Sequence, residues 1–140
     1  MNIFKKSIAL IMVICIAFCA VGCSQEVIYP DYDNFEPAGV YINDFIGGEH
    51  YKKDINDPVF AKKLFEKFDS LEINTDQEGE LDAAYLYLRF YNEDYSTLII
   101  FSIYENGSCC LGEEFEDLYT VKDGRQAYID LVKLYESYEG

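Results

Sequence analysis

Ala83-Ala-Tyr-Leu-Tyr-Leu-Arg-Phe-Tyr91 alternates strictly, sending Ala84, Leu86, Leu88 and Phe90 to one side and Tyr85, Tyr87, Arg89 and Tyr91 to the other. That pattern is a strand. It is followed by Asn92-Glu-Asp94 and then by Tyr95-Ser-Thr-Leu-Ile-Ile-Phe-Ser-Ile-Tyr104, rich in β-branched and aromatic residues, and the two runs predict a hairpin. With Glu93-Asp94 as a two-residue turn, Phe90 faces Thr97, Leu88 faces Ile99, Leu86 faces Phe101 and Ala84 faces Ile103, one coherent apolar face. The pairs Tyr91–Ser96, Arg89–Leu98, Tyr87–Ile100 and Tyr85–Ser102 make the other face, which is half aromatic.

Outward from this hairpin the chain is readable in both directions. Upstream, two alternating runs, 39–46 and 49–55, flank Gly47-Gly48 and predict a first hairpin. Asn56 and Asp57 can cap a helix over 58–70 with Pro58 in its first turn, and Phe60, Ala61, Leu64, Phe65, Phe68 and Leu71 give that helix an apolar stripe. Residues 74–82 read as an acidic loop. Downstream, Asn106-Gly107 signals a two-residue turn into a third strand, with Cys110 beside Ile103 on the core face and Cys109 beside Tyr104 on the other. The acidic run Glu113-Glu-Phe-Glu-Asp117 interrupts that strand, and 118–121 forms another short one. Asp123-Gly-Arg-Gln126 fits a capping box ahead of a closing helix, 124–139, that buries Tyr128, Leu131, Val132, Tyr135 and Tyr138. Hairpin, helix, three- to four-strand meander, helix, without βαβ alternation, predicts an α+β domain: an antiparallel sheet with two helices on one face.

The N-terminus reads as a signal. Lys5 and Lys6 precede an apolar run over 8–22, 15 residues long and short of the roughly 20 a spanning helix needs. It ends in Ala20-Val21-Gly22-Cys23, which resembles the bacterial lipobox, with Ala20 in place of the usual leucine. The resemblance implies cleavage before Cys23 and conversion of its thiol to a diacylglyceryl thioether, leaving a palmitate-type anchor on the first mature residue. Together with the element pattern, it makes the chain similar to small extracytoplasmic lipoproteins of Gram-positive bacteria that carry domains of unknown function. The organisation expected is a signal peptide over 1–22, a lipidated cysteine and tether over 23–37, and one domain over 38–140, held on the extracytoplasmic side of the cell membrane.

Charge narrows the partners. The chain has 11 basic and 26 acidic residues, and removal of Lys5 and Lys6 with the signal lowers its net charge from −15 to −17. Nucleic acid, bound through phosphate neutralisation, is disfavoured, and the domain is repelled from anionic head groups while its lipid holds it there.

Catalysis finds little support in the residues. The single histidine, His50, falls in an exposed hairpin, there is no Gly-x-Ser-x-Gly, and with 26 acidic residues a carboxylate pair is expected by chance. One histidine and two strand cysteines cannot assemble a zinc site, and no cofactor is implied. A calcium loop is the one metal reading with a pattern behind it. Asn74, Asp76, Glu78, Gly79 and Asp82 occupy positions 1, 3, 5, 6 and 9 of an EF-hand-like loop, but position 12 is Tyr85 and a strand follows.

The aromatic face is the main candidate site. Tyr85, Tyr87, Arg89, Tyr91 and Tyr104 beside Leu98, Ile100 and Leu111 are too apolar to stay uncovered on an acidic monomer, and the segment 27–35, a second copy or a separate protein partner would each cover them. The reading that follows is a membrane-tethered, non-catalytic binding module. The alternatives are a small envelope enzyme or calcium-dependent factor, and an immunity or inhibitor lipoprotein directed at a basic protein.

Overall fold

The computed structural model describes residues 34–112 and 117–140. The expected signal peptide, Cys23, the tether as far as residue 33, and residues 113–116 of the acidic run lie outside the described residues. Strands β1 (Gly39–Ile46) and β2 (Glu49–Ile55) form the first hairpin around Gly47 and Gly48, both at positive φ. Helix α1 (Pro58–Asp69) starts at Asp57, whose carboxylate accepts the N–H groups of Val59 at 3.0 Å and Phe60 at 3.1 Å. A cap of this kind stabilises a helix by about 1 kcal/mol. Then come β3 (Ile73–Glu78), β4 (Tyr85–Tyr91), β5 (Leu98–Tyr104), β6 (Ser108–Leu111), β7 (Leu118–Val121) and α2 (Gly124–Glu136).

Among the described residues the seven strands make one antiparallel sheet in the order β2-β1-β4-β5-β6-β7-β3, and with two helices the fold is α+β. Because β2 and β3 are opposite edges, α1 carries the chain from one side of the sheet to the other. The two helices lie on one face, joined by the Lys67–Asp130 ion pair at 3.5 Å. Beneath them Val40, Ile42, Leu86, Leu88, Phe90, Phe101 and Ile103 are fully buried, as are Ala61 and Leu64 of α1 and Leu131 of α2. Phe68 stacks on Phe90 and tilts against Phe101 at 4.5 Å between centroids, while Phe65 meets Phe90 edge-on at 5.2 Å. Each such side chain contributes about 1.5–3 kcal/mol on leaving water, so this face holds the fold together.

Several expectations are corrected. The β4–β5 register is two residues from the one read off the sequence: Leu86 faces Ile103, Leu88 faces Phe101 and Phe90 faces Ile99. The connection runs from Asn92 to Thr97, and the Asn92 side chain closes it by accepting the Thr97 N–H at 3.0 Å. A slip of two keeps every side chain on its face. At β5–β6 the slip is one. Ile103 pairs with Cys109 and Ser102 with Cys110, so Cys109 is on the helix face and Cys110 on the other, the reverse of the expectation. The cause is a three-residue loop: Gly107, at φ +88°, donates its N–H to the Tyr104 carbonyl, and the glycine takes the left-handed position after the turn.

Residues 74–78, expected as loop, belong to β3, an edge strand on β7 pinned by Lys122, whose backbone N–H and side-chain ammonium reach the carbonyl and carboxylate of Glu72. Asp123 does not build a capping box. It sits at φ +51° with no side-chain cap bond, because Gly124 abuts the backbone of Gly107 and the chain must turn sharply there. Helix α2 ends at Glu136, and of the residues expected to be buried on it only Tyr128 and Leu131 are. At the other end, Phe35 packs its ring on Phe65 at 5.2 Å and Ala38 donates to the Tyr91 carbonyl, so the compact unit begins at Phe35.

Candidate functional site

The second face of the sheet is where the sequence-derived candidates converge. Antiparallel pairing sets Tyr41 opposite Arg89, Asn43 opposite Tyr87 and Phe45 opposite Tyr85, and then Tyr85 opposite Tyr104 and Tyr87 opposite Ser102. All these side chains point away from α1 and α2. A row of rings crosses four strands: His50 of β2 to Phe45 at 4.4 Å, Phe45 to Tyr85 at 5.3 Å, Tyr85 to Tyr104 at 5.7 Å. A second group lies beside it, Tyr87 meeting Tyr41 edge-on at 6.4 Å and the Arg89 guanidinium standing 5.0 Å over the Tyr41 ring. A guanidinium on a tyrosine face holds its planar donors in one orientation, ready for a carboxylate or a peptide carbonyl.

The five sequence candidates do not stand alike. Tyr85, Tyr87 and Arg89 are half-exposed, whereas Tyr91 and Tyr104 are only 4% and 3% exposed. Tyr91 leans over β1 where Gly39 leaves room for its ring, donates its hydroxyl to Asp54 Oδ1 at 2.9 Å and stacks on Tyr95 at 4.7 Å. Burial and the Asp54 carboxylate push its hydroxyl pKa up. Tyr104 is pushed up by burial, then by Cys110 and Tyr85. Ile100, Ser102 and Cys110 beside it are buried too. The accessible part of the face is therefore the β1–β4 side: Tyr41, Phe45, Tyr85, Tyr87 and Arg89, with Leu98 exposed at its border. The sequence reading missed Tyr41 and Phe45. Alternation in 39–46 puts them on one side, but nothing local says that β1 lies against β4.

The other candidates are dispersed. Asn74, Asp76 and Glu78 are exposed along β3, and the Asn74 side chain accepts the Asp76 N–H. Asp82 is engaged elsewhere: its carboxylate accepts the N–H of Ala83 at 2.7 Å and that of Asn106 at 3.0 Å, tying the loop after β3 to the β5–β6 turn. Among the described residues no three His, Cys, Asp or Glu side chains are grouped as a metal site. Cys109 and Cys110 are buried; burial raises the Cys109 thiol to about 12, and burial with Asp117 raises Cys110. Such thiols are protonated at neutral pH, the opposite of what a nucleophile requires. Three strands separate them from His50, about 19 Å at the usual strand spacing. No described helix is long and apolar enough to cross a membrane.

Compared with protein-family models, with curated proteins and with solved structures, the chain matches none.

Proposed function

We propose that the chain is an extracytoplasmic lipoprotein, tethered to the membrane through Cys23, that works as a non-catalytic binding module and meets a basic protein partner with its aromatic sheet face. The observation that carries this reading is the contiguous patch of Tyr41, Phe45, Tyr85, Tyr87 and Arg89 on the face opposite the described helices. Tyrosine and arginine supply large amphipathic contact area at little entropic cost, and they dominate the energetics of protein interfaces. Charge selects the occupant. A second copy of the mature chain would bring another net charge of −17 against the first, whereas a basic protein is drawn in. The buried, protonated thiols and the distant histidine weigh against the enzyme alternative.

Site-specific photo-cross-linking in intact cells tests the proposal. A photoreactive residue at Leu98, exposed on the border of the patch, should give one discrete membrane-bound adduct, while the same group at Val59, exposed on α1, should give none. Tyr87→Ala should abolish the adduct, and Cys23→Ala should remove fatty-acid labelling and leave the precursor uncleaved. An adduct of twice the chain's mass would replace the basic partner with a homodimer. Adducts from both positions, or from neither, would end the reading of this face as a contact surface.

A further inference from the structure

On the other side of the sheet, where the β1–β2 hairpin runs out beneath the end of α2, there is a cleft of about 450 Å³. Asp44, Tyr51, Lys53, Tyr135, Glu136 and Tyr138 line it. Asp44 is the anomaly. It occupies a helix-face position of β1, opposite Tyr51 and Leu86, where Val40 and Ile42 before it are core residues. It is 3% exposed, and its buried Oδ1 accepts no hydrogen bond from any described residue. A buried carboxylate oxygen left without a donor is destabilising, a penalty that an alanine or valine at the same place would avoid. Lys53 does not relieve it. Its ammonium makes no ion pair with Asp44 or Glu136 and stands instead 4.8 Å over the Tyr138 ring.

We propose that this cleft is a binding site for a small organic ammonium ion, with Asp44 as its charge partner, Glu136 as a second carboxylate at the rim, and the tyrosine rings as its walls. The chemistry of the lining selects this class. Two carboxylates against the one Lys53 ammonium leave a net negative lining that favours a cation, and three tyrosines add the aromatic faces on which ammonium groups are held. Lys53 over Tyr138 is an ammonium of the protein's own already seated on one wall. Calcium needs six to eight oxygen ligands, and no described cluster of three acidic or imidazole groups exists to begin such a shell. Burial and the nearby Glu136 both hold the Asp44 carboxyl above its ordinary range, and a bound cation would offset both effects. The volume is that of a small-molecule site. This site lies across the sheet from the aromatic patch and does not rest on the function proposed above.

The test is a titration of the full chain in detergent with butylamine, 1,4-diaminobutane and tetramethylammonium, each against sodium chloride at equal ionic strength. Calorimetry and melting temperature are read together, because a ligand that binds only the folded state raises the melting point in a saturable way. At least one amine should bind saturably beyond the salt control. Asp44→Asn should weaken it roughly tenfold or more, since a neutral amide of the same shape removes the buried charge partner. Glu136→Gln, on an exposed residue that the fold does not need, should weaken it by a smaller factor and tests the same site independently of the buried carboxylate. Equal binding by parent and both variants, no binding beyond salt, or saturable calcium binding lost in Asp44→Asn would each overturn the proposal.

Discussion

Gly39→Ala should be destabilising in the parent chain and harmless once Tyr91 is gone. The Tyr91 ring rests on β1 above Gly39, and a methyl group added there would overlap the ring rather than backbone. Relief requires the ring to swing out, which breaks the 2.9 Å hydrogen bond to Asp54 and the stack on Tyr95. The hydrogen bond is worth about 1 kcal/mol and the stack about 0.5–1.5 kcal/mol, so Gly39→Ala should cost about 2 kcal/mol. Overpacking in general costs about 1–3 kcal/mol, in agreement. Tyr91→Ala alone should cost about 3–5 kcal/mol as a large-to-small change at a buried aromatic. In that background Gly39, whose backbone is not in the left-handed region, can accept a methyl, and Gly39→Ala should then be neutral or stabilising by up to about 1 kcal/mol through the unfolded state. The double-mutant cycle, measured by urea unfolding, should give a coupling of about 2–3 kcal/mol, with the double variant less destabilised than the sum. Additivity within about 0.5 kcal/mol would refute the seating of Tyr91 on Gly39. It would also return Tyr91 to the contact surface, so the cycle decides the patch as well as the packing.

Leu88→Ala, at a fully buried position between Ile42 and Phe101, should lower stability by about 2–5 kcal/mol with an unchanged urea m-value, and a smaller loss would mean the helix face is looser than described. Asp44→Asn should raise the melting temperature at neutral pH. The folded pKa of Asp44 is raised above its ordinary 3.8, so the folded state binds the proton more tightly; stability from this group is present below that value and lost as pH climbs through the folded pKa. The gap between variant and parent should therefore open from about pH 4 upward, and a melting curve parallel to the parent's at every pH would contradict the assignment.

The parts of the fold that were legible in the sequence are those in which an error of register does no harm. The β4–β5 partners moved by two residues, yet Leu86, Leu88 and Phe90 kept the core face and Tyr85, Tyr87 and Arg89 the other, because parity survives an even slip. The β5–β6 slip was odd, and it exchanged Cys109 with Cys110; Asn106-Gly107 signals a turn equally well whether two or three residues form the loop. Strand β3 escaped because Ile73-Asn-Thr-Asp-Gln-Glu78 has one apolar residue and no alternation. As an edge strand it draws its pairing from β7 alone, and charges on an edge keep other chains from adding to it. The adjacency of β1 and β4 was illegible for a different reason. It joins strands separated by a helix and two other strands, β2 and β3, and no local pattern encodes a partner so distant, so Tyr41 and Phe45 could be assigned to a face but not to the patch.

That non-local pairing is also what separates the two candidate sites. Strand β1 contributes to both: its odd positions Tyr41 and Phe45 build the aromatic patch, and its even position Asp44 builds the cleft beneath α2. Alternation makes the two independent in chemistry, since adjacent side chains on a strand face opposite layers. It also makes them close in space, because both are built on the same strand. On the proposed reading the acidic surface sets how fast a basic partner arrives, while the rings of Tyr85, Tyr87 and Tyr41 set how long it stays. An ammonium ligand at Asp44 neutralises one buried charge and leaves the outer surface as it was.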